Sequence, residues 1–142
     1  MRYKVTNSTN MDQLFTPEFQ LITETGQVLD SGKDVPNDIF DQIKKLYGSD
    51  LMESPIEVLG RLRQGPDHAK ESVAIFAGVE KEARKFRIVV TGLYGEVAEV
   101  KNPLTDKPVI LRKALVLDYD VPGEAIGIAP STILRETSYV MK

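Results

Sequence analysis

The stretch from Val109 to Tyr119 constrains the fold more than any other part of the chain. Val109, Ile110, Leu111, Leu115, Val116 and Leu117 crowd it with aliphatic side chains, which suit a pleated, buried surface. It reads as a central strand, or as two strands that meet near Arg112-Lys113. The segment before it has the same character. Phe86, Ile88 and Val90 alternate with Arg87, Val89 and Thr91 up to Gly92, the two-residue period of a strand. Glu96 to Lys101 alternates again, with Val97 and Val100 out of phase, which predicts a bulge or a bend. Asn102-Pro103 and Asp106-Lys107-Pro108 mark a loop. Val121-Pro122-Gly123-Glu124 has the residues of a type II turn, and Ala125 to Ile128 and Thr132 to Val140 read as closing strands.

The first half is mixed. Tyr3 and Val5 alternate with Arg2, Lys4 and Thr6 in a first strand, which the polar run Asn7-Ser8-Thr9-Asn10 breaks. Phe19 to Thr23 and Gln27 to Leu29 flank Glu24-Thr25-Gly26 as a short hairpin or an extended arm. From Asp34 to Tyr47 the period changes: Ile39, Phe40, Ile43, Leu46 and Tyr47 fall on one side of a helix. Lys44 and Lys45 suit its C-terminal end, and Gly48 suits the cap. A second helix is expected from Ser54, where Ser54-Pro55-Ile56-Glu57 carries the residues of a capping box. Ile56, Leu59 and Leu62 would be its buried face and Gly65-Pro66 its end. Ser72 to Val79 is apolar and reads as a buried strand in preference to the core of a helix, a choice periodicity alone does not settle.

The expected fold class is therefore α+β: N-terminal strands and two helices, followed by a largely antiparallel β-sheet or a small β-sandwich or barrel. At 142 residues the expectation is a single domain, residues 1–142. An internal boundary near residues 65–66 would divide a helical N-terminal part from a β-rich C-terminal part.

Charge and composition narrow the function. The formal net charge is −3, which argues against a duplex-binding surface, since neutralising phosphates takes a marked excess of Lys and Arg. Residues 1–60 carry ten carboxylates against five cations, and the remainder thirteen cations against eleven carboxylates. There is no cysteine, so thiolate metal sites and cysteine nucleophiles are excluded. No segment approaches the roughly 20 apolar residues of a membrane span. The opening residues lack the apolar core of a secretory signal. The expectation is a soluble intracellular protein that binds neither nucleic acid nor membrane.

Candidate chemistry is sparse. Leu115-Val116-Leu117-Asp118-Tyr119-Asp120-Val121 delivers two carboxylates on one side of a strand, a pair that can hold a divalent cation. It resembles the strand ending in Asp-x-Asp of haloacid-dehalogenase-type phosphotransferases and of nucleotide-sugar glycosyltransferases. In the first family that strand opens a much longer domain, whereas little chain follows Asp120 here. The simpler reading leaves Asp118 and Asp120 exposed at a strand end. Gly92-Leu93-Tyr94-Gly95 has the spacing of the loop with which KH domains hold nucleotides, but its flanks are β-like, so a hairpin turn is expected. No Gly-rich nucleotide fingerprint is present, and no cofactor is expected. His68 is the only histidine, and its flanks read as an exposed loop. The basic run Lys81 to Arg87 reads as a solvated turn.

The opening Met1-Arg2-Tyr3-Lys4-Val5-Thr6-Asn7-Ser8-Thr9-Asn10, a short basic-aromatic strand running into a polar turn, resembles the start of many small virion proteins of tailed bacteriophages. The resemblance implies a structural part, such as a head decoration, connector or tail component, that binds neighbouring copies or other virion proteins. The segments Leu14 to Gln20 and Asn102 to Pro108 would then serve as arms. The expected contacts are Leu14, Phe15 and Phe19 near the N-terminus and Tyr139, Val140 and Met141 at the other end. Two other readings are a small metal-dependent enzyme using Asp118 and Asp120, and a small regulatory or inhibitory binding protein presenting the acidic helix Asp34 to Tyr47.

Overall fold

The computed structural model describes residues 1–122 and 133–142. In chain order the elements are β1 (Arg2–Val5), β2 (Gln13–Phe15), β3 (Glu18–Thr23), β4 (Val28–Asp30), α1 (Ile39–Tyr47), β5 (Gly60–Leu62), a single 3-10 turn (Pro66–His68), β6 (Lys70–Val73), β7 (Lys85–Thr91), β8 (Val97–Lys101), β9 (Pro108–Asp120) and β10 (Ile133–Met141). The described chain is thus mostly β with one α-helix, and the expectation of α+β with two helices is corrected.

The missing helix has a local cause. The capping box at Ser54 does form: Glu57 N–H donates to Ser54 Oγ at 3.1 Å and Ser54 N–H to Glu57 Oε2 at 3.2 Å. Val58 N–H then reaches Ser54 O at 3.1 Å, closing one helical turn. At Gly60 the backbone takes φ 116°, a conformation open to glycine alone, and the chain leaves as β5. Ile56, expected on a buried face, is 81 % exposed, while Val58 and Leu62 are buried. A capping box states where a helix can start, and the next glycine decides whether it continues.

α1 itself begins five residues after Asp34, because the chain over Pro36 to Asp38 forms a turn first. Its C-terminus is closed as expected, with Gly48 at φ 60° donating its N–H to Lys44 O and Lys45 O. None of its residues is buried.

The chain divides into two compact units. The first comprises Met1–Thr16 and Asp30–Gly78, the second Pro17–Leu29 and Val79–Lys142. In the first, β1 pairs antiparallel with β6 and β2 with β5. Phe15, Met52, Val58, Leu62, Val73 and Ala74 form its buried apolar part. Asn7 is buried with them and ties three segments together. Its Nδ2 donates to Met11 O at 2.8 Å and Leu62 O at 2.9 Å, and its Oδ1 accepts from Thr9 N–H and Thr9 Oγ1. The apolar run expected as a strand over Ser72 to Val79 keeps strand geometry only to Val73.

The second unit is one sheet in the order β10-β9-β7-β3-β4, with β8 also on β9. The β10–β9, β9–β7, β7–β3 and β8–β9 pairs are antiparallel. β9 is a single 13-residue strand, central as its composition predicts. Its partner on one edge changes along its length: β7 lies beside Leu115 to Asp120 and β8 beside Pro108 to Arg112. β7 and β8 are therefore successive pieces of one broken strand along β9. The six residues from Thr91 to Glu96 face only two on β9, Lys113 and Ala114, so they bulge out, with Gly92 at φ 79°. Gly92 to Gly95 is this bulge and not the expected hairpin turn. The hairpin turn lies instead between β8 and β9, where Asp106 N–H donates to Asn102 O and Asn102 N–H to Lys107 O.

The hairpin expected around Gly26 joins β3 to β4, and Gly26 has φ 93°. Val89, Ala114 and Val116 form a buried cluster on one sheet face with Ile22 packed against it. Lys142 Nζ, just beyond β10, donates to Gln20 Oε1 on β3 at 3.0 Å. Three strand spacings, about 14 Å in a flat sheet, separate these strands, so the sheet curls. The expected turn at Val121 to Glu124 and strand at Ala125 to Ile128 lie wholly or partly outside the described residues.

Candidate interaction surface

Asp118 and Asp120 share a face of β9, as the strand period requires. Asp118 is only 7 % exposed, which corrects its expected place at an exposed strand end. β7 places Arg87 directly opposite. The guanidinium grips both carboxylate oxygens, Nε to Oδ1 at 2.7 Å and Nη2 to Oδ2 at 2.9 Å. The pair raises the pKa of Arg87, first through this hydrogen bond. A bidentate clamp of this kind is a cross-strand tie. Among the described residues no group of three or more His, Asp or Glu side chains is arranged to hold a metal ion. His68 is exposed in its 3-10 turn.

A different surface emerges at the far end of the same sheet. Among the described residues, β9 beyond Arg112 pairs with β8 alone, and together they form a hairpin. Ala98, Val100, Val109 and Leu111 lie on one of its faces by register, and Val100 and Val109 are exposed there. On the opposite face Val97 and Ile110 are exposed, and Leu104 at the tip is 93 % exposed. One face of the hairpin is thus apolar, while the other mixes Val97 and Ile110 with Glu99, Lys101 and Arg112.

β10 runs alongside the base of this hairpin. Tyr139, Val140 and Met141, expected as contact residues, are all exposed. Tyr139 meets the bulge residue Tyr94 edge to face, ring centroids 5.6 Å apart. Lys113 Nζ sits over both rings at 5.0 and 5.2 Å and donates to Glu96 Oε1 at 3.0 Å. Burial, then the contact with Tyr139, pushes the Tyr94 hydroxyl up to about 12. The bulge thus supplies the aromatic ring and carboxylate that hold Lys113, the one charged residue on its face of β9. Sequence alone gave no signal for this cluster, because the three elements meet only through the register of β9.

The N-terminal candidates separate. Leu14 is exposed on β2, while Phe15 beside it is buried, its ring centroid 6.5 Å from that of Tyr3. Phe15 serves the interior of its own unit. Phe19 is half-buried on β3 in the other unit, opposite Val90. The two segments expected as arms have other roles, Leu14 and Phe15 pairing with β5 and residues 102–107 closing the β8–β9 turn.

Among the described residues no helix is long and apolar enough to cross a membrane. No protein-family model, curated protein or solved structure matches the chain. Among the described residues, what fold and surface define in the second unit is a curled antiparallel sheet with an unpaired edge at β10 and a hairpin bearing exposed apolar side chains at one end.

Proposed function

We propose that this is a non-enzymatic structural protein that acts by self-association or by docking on a larger particle. The N-terminal resemblance makes a phage virion its setting, as a decoration, connector or tail component. One observation carries the reading: Tyr139 and Met141 on β10 lie exposed on the sheet face that Val109 and Val100 occupy on the β8–β9 hairpin, and Val140 lies exposed on the opposite face with Ile110. Single exposed apolar side chains are ordinary, but several on neighbouring strands beside an edge are the mark of a contact surface. Backbone pairing along an edge fixes geometry, and side chains beside it supply affinity.

The test is the solution mass of the whole chain by light scattering across a wide concentration range, with and without Mg²⁺. The expected result is concentration-dependent association indifferent to the metal, weakened by Ile110→Glu and Val140→Glu. Both positions are exposed, so neither variant should lose its thermal transition. A chain that stays monomeric at every concentration removes self-association. A shift in mass or melting on adding Mg²⁺, abolished by Asp118→Asn, would move the reading to a metal-dependent enzyme.

A further inference from the structure

The hydrogen-bond phase of β10 singles out which of its backbone groups are open. Arg112 and Lys142 exchange both backbone bonds, at 2.8 and 2.9 Å. The register continues through Val140 opposite Ala114, Ser138 opposite Val116 and Glu136 opposite Asp118. In an antiparallel pair such bonded residues alternate with unbonded ones. The even-numbered residues therefore direct their N–H and C=O groups at β9, and Thr137, Tyr139 and Met141 direct theirs outward. Lys113, opposite Met141, accordingly sends its N–H the other way, to Glu96 O at 3.0 Å. Among the described residues no strand pairs with this outer edge of β10.

Sheet edges are normally blunted by shortness, charge, proline or a bulge. The opposite edge of this sheet, β4, has three residues and ends in Asp30. β10 has nine, with a register shift between Leu134 and Glu136, and beyond it Thr137 to Met141 contain no charge, proline or glycine.

We infer that β10 pairs antiparallel with β10 of a second copy of this chain, about a two-fold axis at Tyr139. The inference rests on the self-association reading above and gives it a partner and a register. Both copies offer the same odd-numbered residues, so Tyr139 faces Tyr139 and Thr137 faces Met141 in bonded pairs. That register also sets Glu136 opposite Lys142 of the second copy, twice by symmetry. Sliding one strand two residues either way separates these charges. Within its own sheet Glu136 stands opposite Asp118, with the Arg87 guanidinium near enough to act on it, and Lys142 of the second copy gives it a cation directly opposite. Lys142 gives one hydrogen bond to Gln20, and an ammonium has three donors. On the other face the axis brings the two exposed Tyr139 rings together beside Tyr94 and Lys113.

The test is sedimentation of the full chain as wild type, Glu136→Lys, Lys142→Glu and the double reversal. Each single reversal sets like charges opposite each other at two symmetric places. It should weaken the dimer about tenfold, taking cross-strand charge pairs at their usual worth, and the double reversal should restore it to within about threefold. The chain has no cysteine, so a second measurement is independent of charge. Ser138 of one copy faces Val140 of the other in an unbonded pair, where side chains come closest. Ser138→Cys mixed with Val140→Cys should oxidise to a cross-linked dimer far faster than either variant alone, even where a charge reversal impairs folding. A wild type that associates, with no rescue by the double reversal and no preference for the mixed disulfide, overturns β10 pairing and leaves assembly by another surface. A wild type that is monomeric throughout overturns both.

Discussion

Replacing Asn7 by alanine should be among the most damaging single changes in the first unit. The side chain is 4 % exposed and makes four hydrogen bonds, two donated to Met11 O and Leu62 O and two accepted from Thr9. The bond to Leu62 O is buried, so its loss strands a carbonyl at about 1–3 kcal/mol, and each other bond adds about 0.5–1 kcal/mol. The total is about 2.5–6 kcal/mol, a large share of a typical domain stability of about 5–15 kcal/mol. Asn7→Asp should cost at least as much, because it turns the donor edge into an acceptor facing two carbonyl oxygens. With no tryptophan in the chain, the assay is urea unfolding followed by far-ultraviolet circular dichroism. Ser8→Ala, exposed on the same turn, serves as control and should stay within about 0.5 kcal/mol. A loss below about 1 kcal/mol for Asn7→Ala, at unchanged denaturant slope, would refute the view that this residue fastens β1 to β5.

The Arg87–Asp118 tie should respond asymmetrically. Arg87→Met leaves a buried carboxylate without its bidentate cation and should cost about 3 kcal/mol, whereas Asp118→Asn leaves a half-exposed guanidinium that water can solvate and should cost about 1 kcal/mol; equal losses in urea titrations would contradict this. Burial raises the hydroxyl pKa of Tyr3, Tyr94 and Tyr119. The folded chain therefore holds these protons more tightly than the unfolded one. Their contribution is complete below the ordinary tyrosine value of about 10 and is lost as pH rises through the folded values. Melting temperature should fall above about pH 10, Tyr94→Phe should soften that fall, and absorbance at alkaline pH should place the Tyr94 ionisation near 12.

How much was legible in the sequence follows from how local each determinant is. β7, β9, the β3–β4 hairpin and the Gly48 cap of α1 announce themselves by period and by glycine, and the structure contains them. The turn at Ser54 announced a helix just as strongly, and its capping hydrogen bonds exist. What the spacing of Ile56, Leu59 and Leu62 could not reveal is that Leu62 is claimed by β2 in a strand pair. Asn7 illustrates the same limit. In a run of four polar residues it reads as solvent-exposed, and only the distant Leu62 carbonyl makes it a buried hub. Asp118 is the counterpart in the second unit. The two-residue period put it beside Asp120 as a candidate pair, but the register of β7 across 31 positions of sequence delivers Arg87 to it. Period determines which face a side chain occupies, and register determines what it meets there.

Register also bears on the size of any assembly. Pairing through β10 uses the same edge in both copies, so it is isologous and closes at a dimer. Among the described residues the edges left on the joined sheet are β4, three residues, and the outer side of β8, five residues, in each copy. Growth beyond a dimer would draw on these short edges or on side-chain surfaces. α1 is one such surface. Its apolar positions repeat on one side, yet none of its residues is buried, and Leu46 lies exposed. Isolated nine-residue helices are marginal in water, and most helical stability comes from packing an apolar face. A helix of that length with its apolar face half-covered gains stability when that face is covered, so contacts there would order the helix as they form. Under the proposed self-association, the sheet edge would fix a two-fold geometry and the helix would offer a face for further contacts.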